Sequence, residues 1–248
     1  MQFARTVKLF AHRGAKLVAP ENSKPAFELA YFQGVDGFEC DIQLSKDGIP
    51  VLWHDDEMDR IGLPNKRIDM FSWDDLQLLD ISMLCSNYNK FCGILSLEEY
   101  LEAYFGKTIL LLELKQFDDE PLEHHHLKIR TTVELVTRKL RQNPKAAVYL
   151  SCFDYPTLDF AHAINSSLNY IANSEDIKTS EELKTLFNKH PYLKGICLEK
   201  KCVNPEITCC AKSLNLLSLV YTCNDSETAN KLKEDGIEII ISDCPNEL

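Results

Sequence analysis

The sequence predicts a (β/α)8 TIM barrel on three observations. Short apolar runs suited to buried strands recur near residues 9, 40, 111, 149, 171, 197, 218 and 240. Stretches with apolar residues at helical spacing separate nearly all of them, which is the pattern of a parallel sheet. Eight such units in 248 residues match the length of this α/β class. A doubly wound open sheet is the alternative, but no G-x-G-x-x-G follows any strand to favour it.

In chain order, Lys8–Ala11 reads as the first strand. Ser23 then caps a helix with Pro25 in its first turn and Phe27, Ala30 and Tyr31 on one face, closed by Gly34. Phe38–Gln43 is the second strand; a turn at Lys46–Gly48 leads to a further extended run, Val51–His54. Ile109–Lys115 is strongly apolar, and Ile129, Val133, Val136 and Leu140 repeat at helical spacing after it. Val148–Ser151, Tyr170–Ala172, Gly195–Leu198, Leu216–Tyr221 and Ile237–Ser242 are the remaining strands. Helices are expected at Tyr155–Asn165, after the Thr179/Glu182 capping box, at Pro205–Ser213 and at Ser226–Asp235.

Two spacings are irregular. Residues 55–96 separate the second strand from a helix announced by the Ser96/Glu99 capping box. They carry a helix signal of their own, Ser72 before Trp73–Leu79, and read as a small insertion after strand 2 over the C-terminal rim. Only Cys244–Leu248 follows the last strand, so the eighth helix is truncated or absent. The apolar outer face of Ile237–Ile241 then needs cover from Met1–Val7, from the short tail, or from a second subunit in a homo-oligomer. The reading is one domain over residues 1–248, with 55–96 as its insertion.

Composition narrows the function classes. Apolar residues make up 45% and charged residues 26%, as in globular chains rather than disordered ones. A formal charge of −11 argues against a nucleic-acid partner. No run is long and apolar enough for an integral membrane segment. The ten cysteines include no C-x-x-C pair and read as small buried hydrophobes of a reducing compartment. With no signal-peptide h-region in MQFARTVKLFAHRG, the expected location is cytoplasmic.

The chemistry collects at strand ends. In Phe38-Glu39-Cys40-Asp41-Ile42 the two carboxylates share one face and the apolar residues the other. With the apolar face against the helices, Glu39 and Asp41 point into the barrel mouth. Glu113 and Lys115 share a face in the same manner. Three converging acids suit a hard divalent ion, Mg2+ or Ca2+; rim ion pairs such as Glu113–Lys115 are the alternative. His12 and His54 fall at C-terminal strand ends, where barrel enzymes keep acid and base groups. Arg13 offers a fork for phosphate and Lys115 a point charge.

These residues closely resemble the glycerophosphodiester phosphodiesterase family. The likeness lies in His12-Arg13-Gly14, Pro20-Glu21-Asn22-Ser23, Gly37–Gln43, Lys46-Asp47-Gly48 and His54-Asp55. It continues in Leu97-Glu98-Glu99, Leu112–Lys115, Ser151–Asp154 and Ser242–Pro245, in the family's order. The resemblance implies a TIM barrel with an insertion after the second strand. It also implies Glu39, Asp41 and Glu113 as ligands of one divalent cation, His12 and His54 as the acid/base pair, and Arg13 and Lys115 as phosphate contacts. Glu21, Asn22 and Tyr221 become candidates for the substrate pocket. The family's Trp-Thr-Val-Asn-like motif reads Tyr221-Thr222-Cys223-Asn224 here, which bears on the alcohol group of the substrate.

The expected reaction is metal-dependent hydrolysis of a small-molecule glycerophosphodiester to sn-glycerol 3-phosphate and an alcohol. One rival is a lysophospholipase D-like diesterase with residues 55–96 as a lipid-facing lid, for which Met58, Ile61, Leu63, Met70, Phe71 and Trp73 would form an exposed apolar patch. The other is a non-catalytic barrel that binds a phosphodiester. His124–His126 read as a solvated loop, Asp55, Asp56, Glu57 and Asp59 as a solvated rim, and Cys202, Cys209 and Cys210 as a packed helix face.

Overall fold

The computed structural model describes residues 7–117 and 119–248. Eight parallel strands close into a barrel: β1 (Lys8–His12), β2 (Gly37–Leu44), β4 (Ile109–Leu114), β5 (Val148–Cys152), β6 (Asn169–Ser174), β7 (Gly195–Glu199), β8 (Leu217–Tyr221) and β9 (Ile239–Ser242). Closure comes from β1, which pairs with β9 on one side and β2 on the other. The extended run after β2 is β3 (Pro50–Leu52), antiparallel to β2 and outside the ring. Helices α1 (Lys24–Phe32), α3 (Leu97–Tyr104), α4 (Leu122–Gln142), α5 (Tyr155–Ile164), α6 (Ser180–Lys189), α7 (Pro205–Ser213) and α8 (Ser226–Glu234) surround it; α2 (Trp73–Leu76) lies in the insertion.

Strand alternation sorts the side chains. Phe38, Cys40 and Ile42 of β2 and Leu110, Leu112 and Leu114 of β4 pack outward against the helices. Phe10, Leu111, Ile171, Cys197, Leu219, Ile239 and Ile241 fill the barrel interior. That interior is solid, so the polar inward positions are confined to the C-terminal mouth. Gly37 is required here, because a Cβ would come within 2.4 Å of the Phe10 ring. Every Cys is a free thiol and all but Cys209 are buried.

The insertion builds a small core of its own. Val51, Trp53, Met58, Ile61, Ile68, Leu76, Ile81, Cys92, Ile94 and Phe117 form one buried cluster, with Leu63, Phe71 and Trp73 packed on it. Of the residues expected to make a lipid-facing patch, only Met70 is strongly exposed. Once folded, the rest of that apolar set is satisfied internally. The expected helix Trp73–Leu79 is a single turn, ending at Leu76. Tyr31, expected on the buried face of α1, is instead exposed, the core face being Ala26, Phe27 and Ala30.

Among the described residues, β9 is followed by a 3-10 turn at Pro245–Glu247 rather than by an α-helix. Val7, Leu9 and Leu248 pack on the cluster of Val220, Ala229, Leu232, Ile237 and Ile240, so tail and N-terminal strand cover that seam. Met1–Thr6, also expected to help there, lie outside the described residues.

The triple-histidine segment departs from expectation, lying in the first turns of α4 rather than in a solvated loop. His124 and His125 both reach Glu120, at 2.8 and 2.9 Å, and the fully buried Lys128 ammonium lies 2.8 and 2.7 Å from its two oxygens. His125 also joins Thr157 Oγ1 at 2.7 Å, tying α4 to α5. His126 stacks on Phe160. Burial raises the Glu120 pKa, but His124, His125 and Lys128 outweigh it and hold the carboxyl well below its ordinary value.

A carboxyl depressed in the folded state adds stability that is fully present above about pH 4.5 and lost as pH falls through the depressed value. Glu120→Gln strands Lys128 as a buried unpaired charge, which should cost about 3–5 kcal/mol at pH 7. Urea midpoints should show that deficit shrinking below about pH 4.5; a pH-independent deficit would contradict the ion-pair account.

Candidate active site

Register brings the carboxylates together. Asp41 lies opposite Glu113 across β2 and β4, and Glu39 lies opposite His12 across β1 and β2. One oxygen from each of Glu39, Asp41 and Glu113 lies within 4.8 Å of the others. Glu39 and Asp41 are buried. Burial, then Asp41 and Glu113, push the Glu39 carboxyl well above the ordinary range. Burial also raises Glu113, with Lys115 opposing it and Asp41 adding to it. Asp41 goes the other way: burial would raise it, yet Arg13, His54, Lys115 and the Asn22 hydrogen bond hold it at about 2.

The β1–α1 loop supplies the counter-charge. Arg13 is in the left-handed region, at φ 59°, and its Nε sits 3.0 Å from Asp41 Oδ2 as an ion pair without aligned hydrogen-bond geometry. Its Nη1 donates to Glu21 Oε1 at 3.3 Å and its backbone N–H to Glu39 Oε2 at 3.2 Å. Gly14 permits this loop, since its φ is +82° and a Cβ would lie 2.7 Å from Ala26. Asn22, also left-handed, donates from Nδ2 to Asp41 Oδ2 at 2.8 Å and accepts from the Asp41 backbone N–H. Its amide is thus committed to Asp41. On β4, Lys115 Nζ donates to Glu113 Oε1 at 3.0 Å and is 4.0 Å from Asp41. The ion pair and the three-acid cluster, alternatives in the sequence, coexist.

Each histidine is held through Nδ1 by its own aspartate. His12 Nδ1 is 2.6 Å from Asp243 Oδ1, and His54 Nδ1 is 2.8 Å from Asp55 Oδ1. His12 Nε2 is 3.8 Å from Glu39. Burial lowers the His12 pKa below its ordinary value; the Asp243 hydrogen bond opposes this, while Arg13 and Lys16 add to it. His12 is therefore neutral near neutrality, with Nε2 available as a base. Arg60 of the insertion braces the second pair, donating from Nε to Asp55 Oδ2 and from Nη2 to Glu21 Oε1, both at 2.5 Å.

Asp243, Asp55, Arg60 and Lys16 were not among the site residues read from sequence. Lys16 Nζ is 2.8 Å from Asp243 Oδ1. Asp55 follows His54 directly, and Asp243 follows the last strand, so both were visible as acids just past strand ends. Nothing in sequence links Arg60 to Glu21, and Asp55 and Arg60 are paired with each other rather than solvated. Tyr221, at the end of β8, stands across the mouth with its hydroxyl 3.3 Å from Glu175 Oε1.

The donor set fits a hard divalent cation: one oxygen from each of three carboxylates converges, and burial and the neighbouring carboxylates hold two of them above their ordinary range. A carboxyl raised in the folded state contributes stability below its unfolded pKa that is lost as pH rises through the folded value. The metal-free chain should lose stability as pH climbs above about 4.5. Millimolar Mg2+ or Ca2+ should restore it, with a Tm gain that grows with pH. Glu39→Gln should abolish that gain; an unchanged Tm in the wild type would refute the site.

The chain from residue 12 to 247 matches the model of the glycerophosphoryl diester phosphodiesterase family. It is 32% identical over 160 residues to the uncharacterized protein MG293 of Mycoplasma genitalium, a match spanning 64% of each chain. It is 25% identical over 244 residues to a glycerophosphodiester phosphodiesterase of Bacillus altitudinis, covering 96% of this chain and 95% of that one. Among solved structures, an Oleispira antarctica phosphodiesterase in complex with the product sn-glycerol-3-phosphate superposes with a TM-score of 0.83 at 28% identity, over 96% of this chain and 94% of that one. A family match over nearly the whole chain and a shared barrel agree with the geometry of the mouth: this chain belongs to the glycerophosphoryl diester phosphodiesterase family.

Proposed function

We propose that this chain hydrolyses glycerophosphodiesters to sn-glycerol 3-phosphate and an alcohol, using one divalent cation, Mg2+ or Ca2+, and the pair His12 and His54. The observation that carries the reading is two aspartate-held histidines beside one pocket of three converging carboxylates. The Oleispira antarctica relative was captured with the product expected here.

Glu39, Asp41 and Glu113 hold the cation, which when bound stabilises negative charge on the non-bridging phosphate oxygens. Arg13 and Lys115 are fixed by Asp41, Glu21 and Glu113 before substrate arrives, so little reorganisation opposes their contact with phosphate. His12, neutral through burial, accepts the proton of the nucleophile at Nε2, and Asp243 steadies the resulting imidazolium through Nδ1. His54, held by Asp55, gives a proton to the departing alkoxide. The glycerol 2-hydroxyl is the favoured nucleophile over water, because it is already held beside phosphorus; its attack expels the alcohol and yields a transient cyclic phosphate, which water then opens by breaking the bond to the 2-oxygen, that oxygen regaining a proton.

One barrel domain over residues 1–248, with 55–96 as its insertion, carries this reaction. Among the described residues no helix is long and apolar enough to cross a membrane. The free buried thiols support a reducing, cytoplasmic setting. Burial of Met58, Ile61 and their neighbours weakens the lipid-facing lid, although Met70, Leu78, Met83 and Phe91 of the insertion are exposed, and the aspartate-held histidines favour catalysis over a binding-only barrel.

His12→Ala and His54→Ala should each lower kcat by about 10²–10⁴-fold, measured as glycerol 3-phosphate release. A p-nitrophenyl diester, whose leaving group needs no proton, should rescue His54→Ala but not His12→Ala. Full activity in both variants would refute the assignment. EDTA should abolish turnover in the wild type, and turnover that survives it would remove the cation from the reading. A substrate lacking the glycerol 2-hydroxyl should be inert; unchanged turnover would exclude the cyclic route.

A further inference from the structure

Away from the mouth, the outer face of α4 carries charges that the fold leaves unused. Glu123, Leu127, Arg130, Glu134, Arg138 and Arg141 are all exposed. Their steps of four, three, four, four and three residues place them on one stripe along the helix. Among the described residues, Glu123, Arg130, Glu134 and Arg141 make no ion pair; Arg138 makes one, with Glu98 at 2.6 Å. The Arg130 guanidinium lies 5.0 Å from the centre of the Phe160 ring, and Leu127 is 43% exposed. Cavities of about 690 and 340 Å³ run along the two flanks of the helix, the first against α5 and the second against α3 and the turn at Gly48–Pro50. Glu134 and Arg138 line both.

The stripe is complementary to its own reverse. Read forwards it runs acid, leucine, base, acid, base, base; set against the same series read backwards, each acid meets a base and no like charges meet. Residues 123 and 141 share a midpoint with residues 130 and 134, at residue 132. A two-fold axis there, perpendicular to the helix, sets Glu123 against Arg141 of a second copy and Arg130 against Glu134, each contact made twice. Leu127 then meets the aliphatic stem of Arg138, and antiparallel packing aligns the two helix dipoles favourably. The net charge of −11 repels copies of the chain from one another. With two acids and three arginines the stripe is locally positive by one, which relieves that repulsion along this face.

We propose that the outer face of α4 is a docking surface for a second copy of this chain, the two α4 helices packing antiparallel about a two-fold axis level with Thr132. The flanking cavities give the partner's side chains grooves to enter. The β9 seam, where a second subunit was also expected, is already covered by Val7, Leu9 and Leu248. Because α4 leads from the mouth back towards the base of the barrel, reversing the helix reverses the mouth. The two active sites therefore open at opposite ends and stay accessible. The competing use of these charges is pairing within one helix, Arg130 with Glu134 and Glu134 with Arg138 at four-residue spacing. Arg138 turns to Glu98 instead, and such pairs would leave the oligomeric state untouched.

Sedimentation equilibrium of the full chain should show a dimer in the micromolar range. Glu134→Arg makes both central positions basic, and Arg130→Glu makes both acidic. Each sets like charges together twice per dimer and should weaken association by about tenfold or more. Both substitutions in one chain should restore the dimer. Mixed in equal amounts, the two single variants should pair with each other, since a basic centre then meets an acidic one. Wild-type circular dichroism and Tm in the monomeric variants exclude unfolding as the cause. If either single variant fails to fold, Glu123→Arg and Arg141→Glu pose the same question at the ends of the stripe. A monomeric wild type overturns the proposal, as does a dimer that survives both single substitutions. Folded single variants that remain monomeric when mixed overturn it too.

Discussion

Three carboxylates side by side at the mouth of a packed barrel, two of them buried and the third partly so, are the constraint on which the rest of the site depends. Their mutual repulsion and loss of hydration would be ruinous if nothing answered them. The chain answers Asp41 most fully, with Arg13, Lys115 and Asn22. Glu39 and Glu113 are answered less, so the pocket retains a deficit of positive charge. In the reading proposed above, a divalent cation would remove that deficit, and a bound phosphodiester would add negative charge for Arg13 and Lys115 to share.

The requirement reaches into the backbone. Arg13 and Asn22 both take left-handed conformations, which non-glycine residues adopt at a cost. Both are pinned by the same acid, Asp41, and Gly14 lets the loop lie against α1. The strain is thus held by the electrostatics it serves. Below this level the barrel is closed by Phe10, Leu111, Ile171 and Leu219, so water reaches the carboxylates only from the mouth.

The insertion has two separable roles. Its apolar residues form a local core and hold it folded against β3. Its charged edge reaches the site through Arg60, which ties Asp55 to Glu21 and so connects the support of His54 with the support of Arg13. A segment that looks like a cover thereby also sets the orientation of one histidine. At the other end of the chain, Asp243 does the same for His12 from just past the last strand, and Lys16 and Asn224 hold that aspartate at 2.8 Å each.

Much of this was legible in the sequence because it is local. Period-two alternation places Glu39, Asp41, Glu113 and Lys115 on inward faces whatever else the chain does, and helix caps such as Ser96/Glu99 and Thr179/Glu182 act within one turn. What only the tertiary structure decided were the long-range pairings. Asp243 is 231 residues from His12, and Arg60 is 39 from Glu21. No periodicity encodes them, because each depends on barrel closure and on where the insertion settles. The same reason explains His125 and Lys128: their polar character suggests a solvated surface, and only the packing of α4 against α5 around Glu120 makes a buried position favourable. Sequence determines which groups each strand presents; closure determines which of them meet.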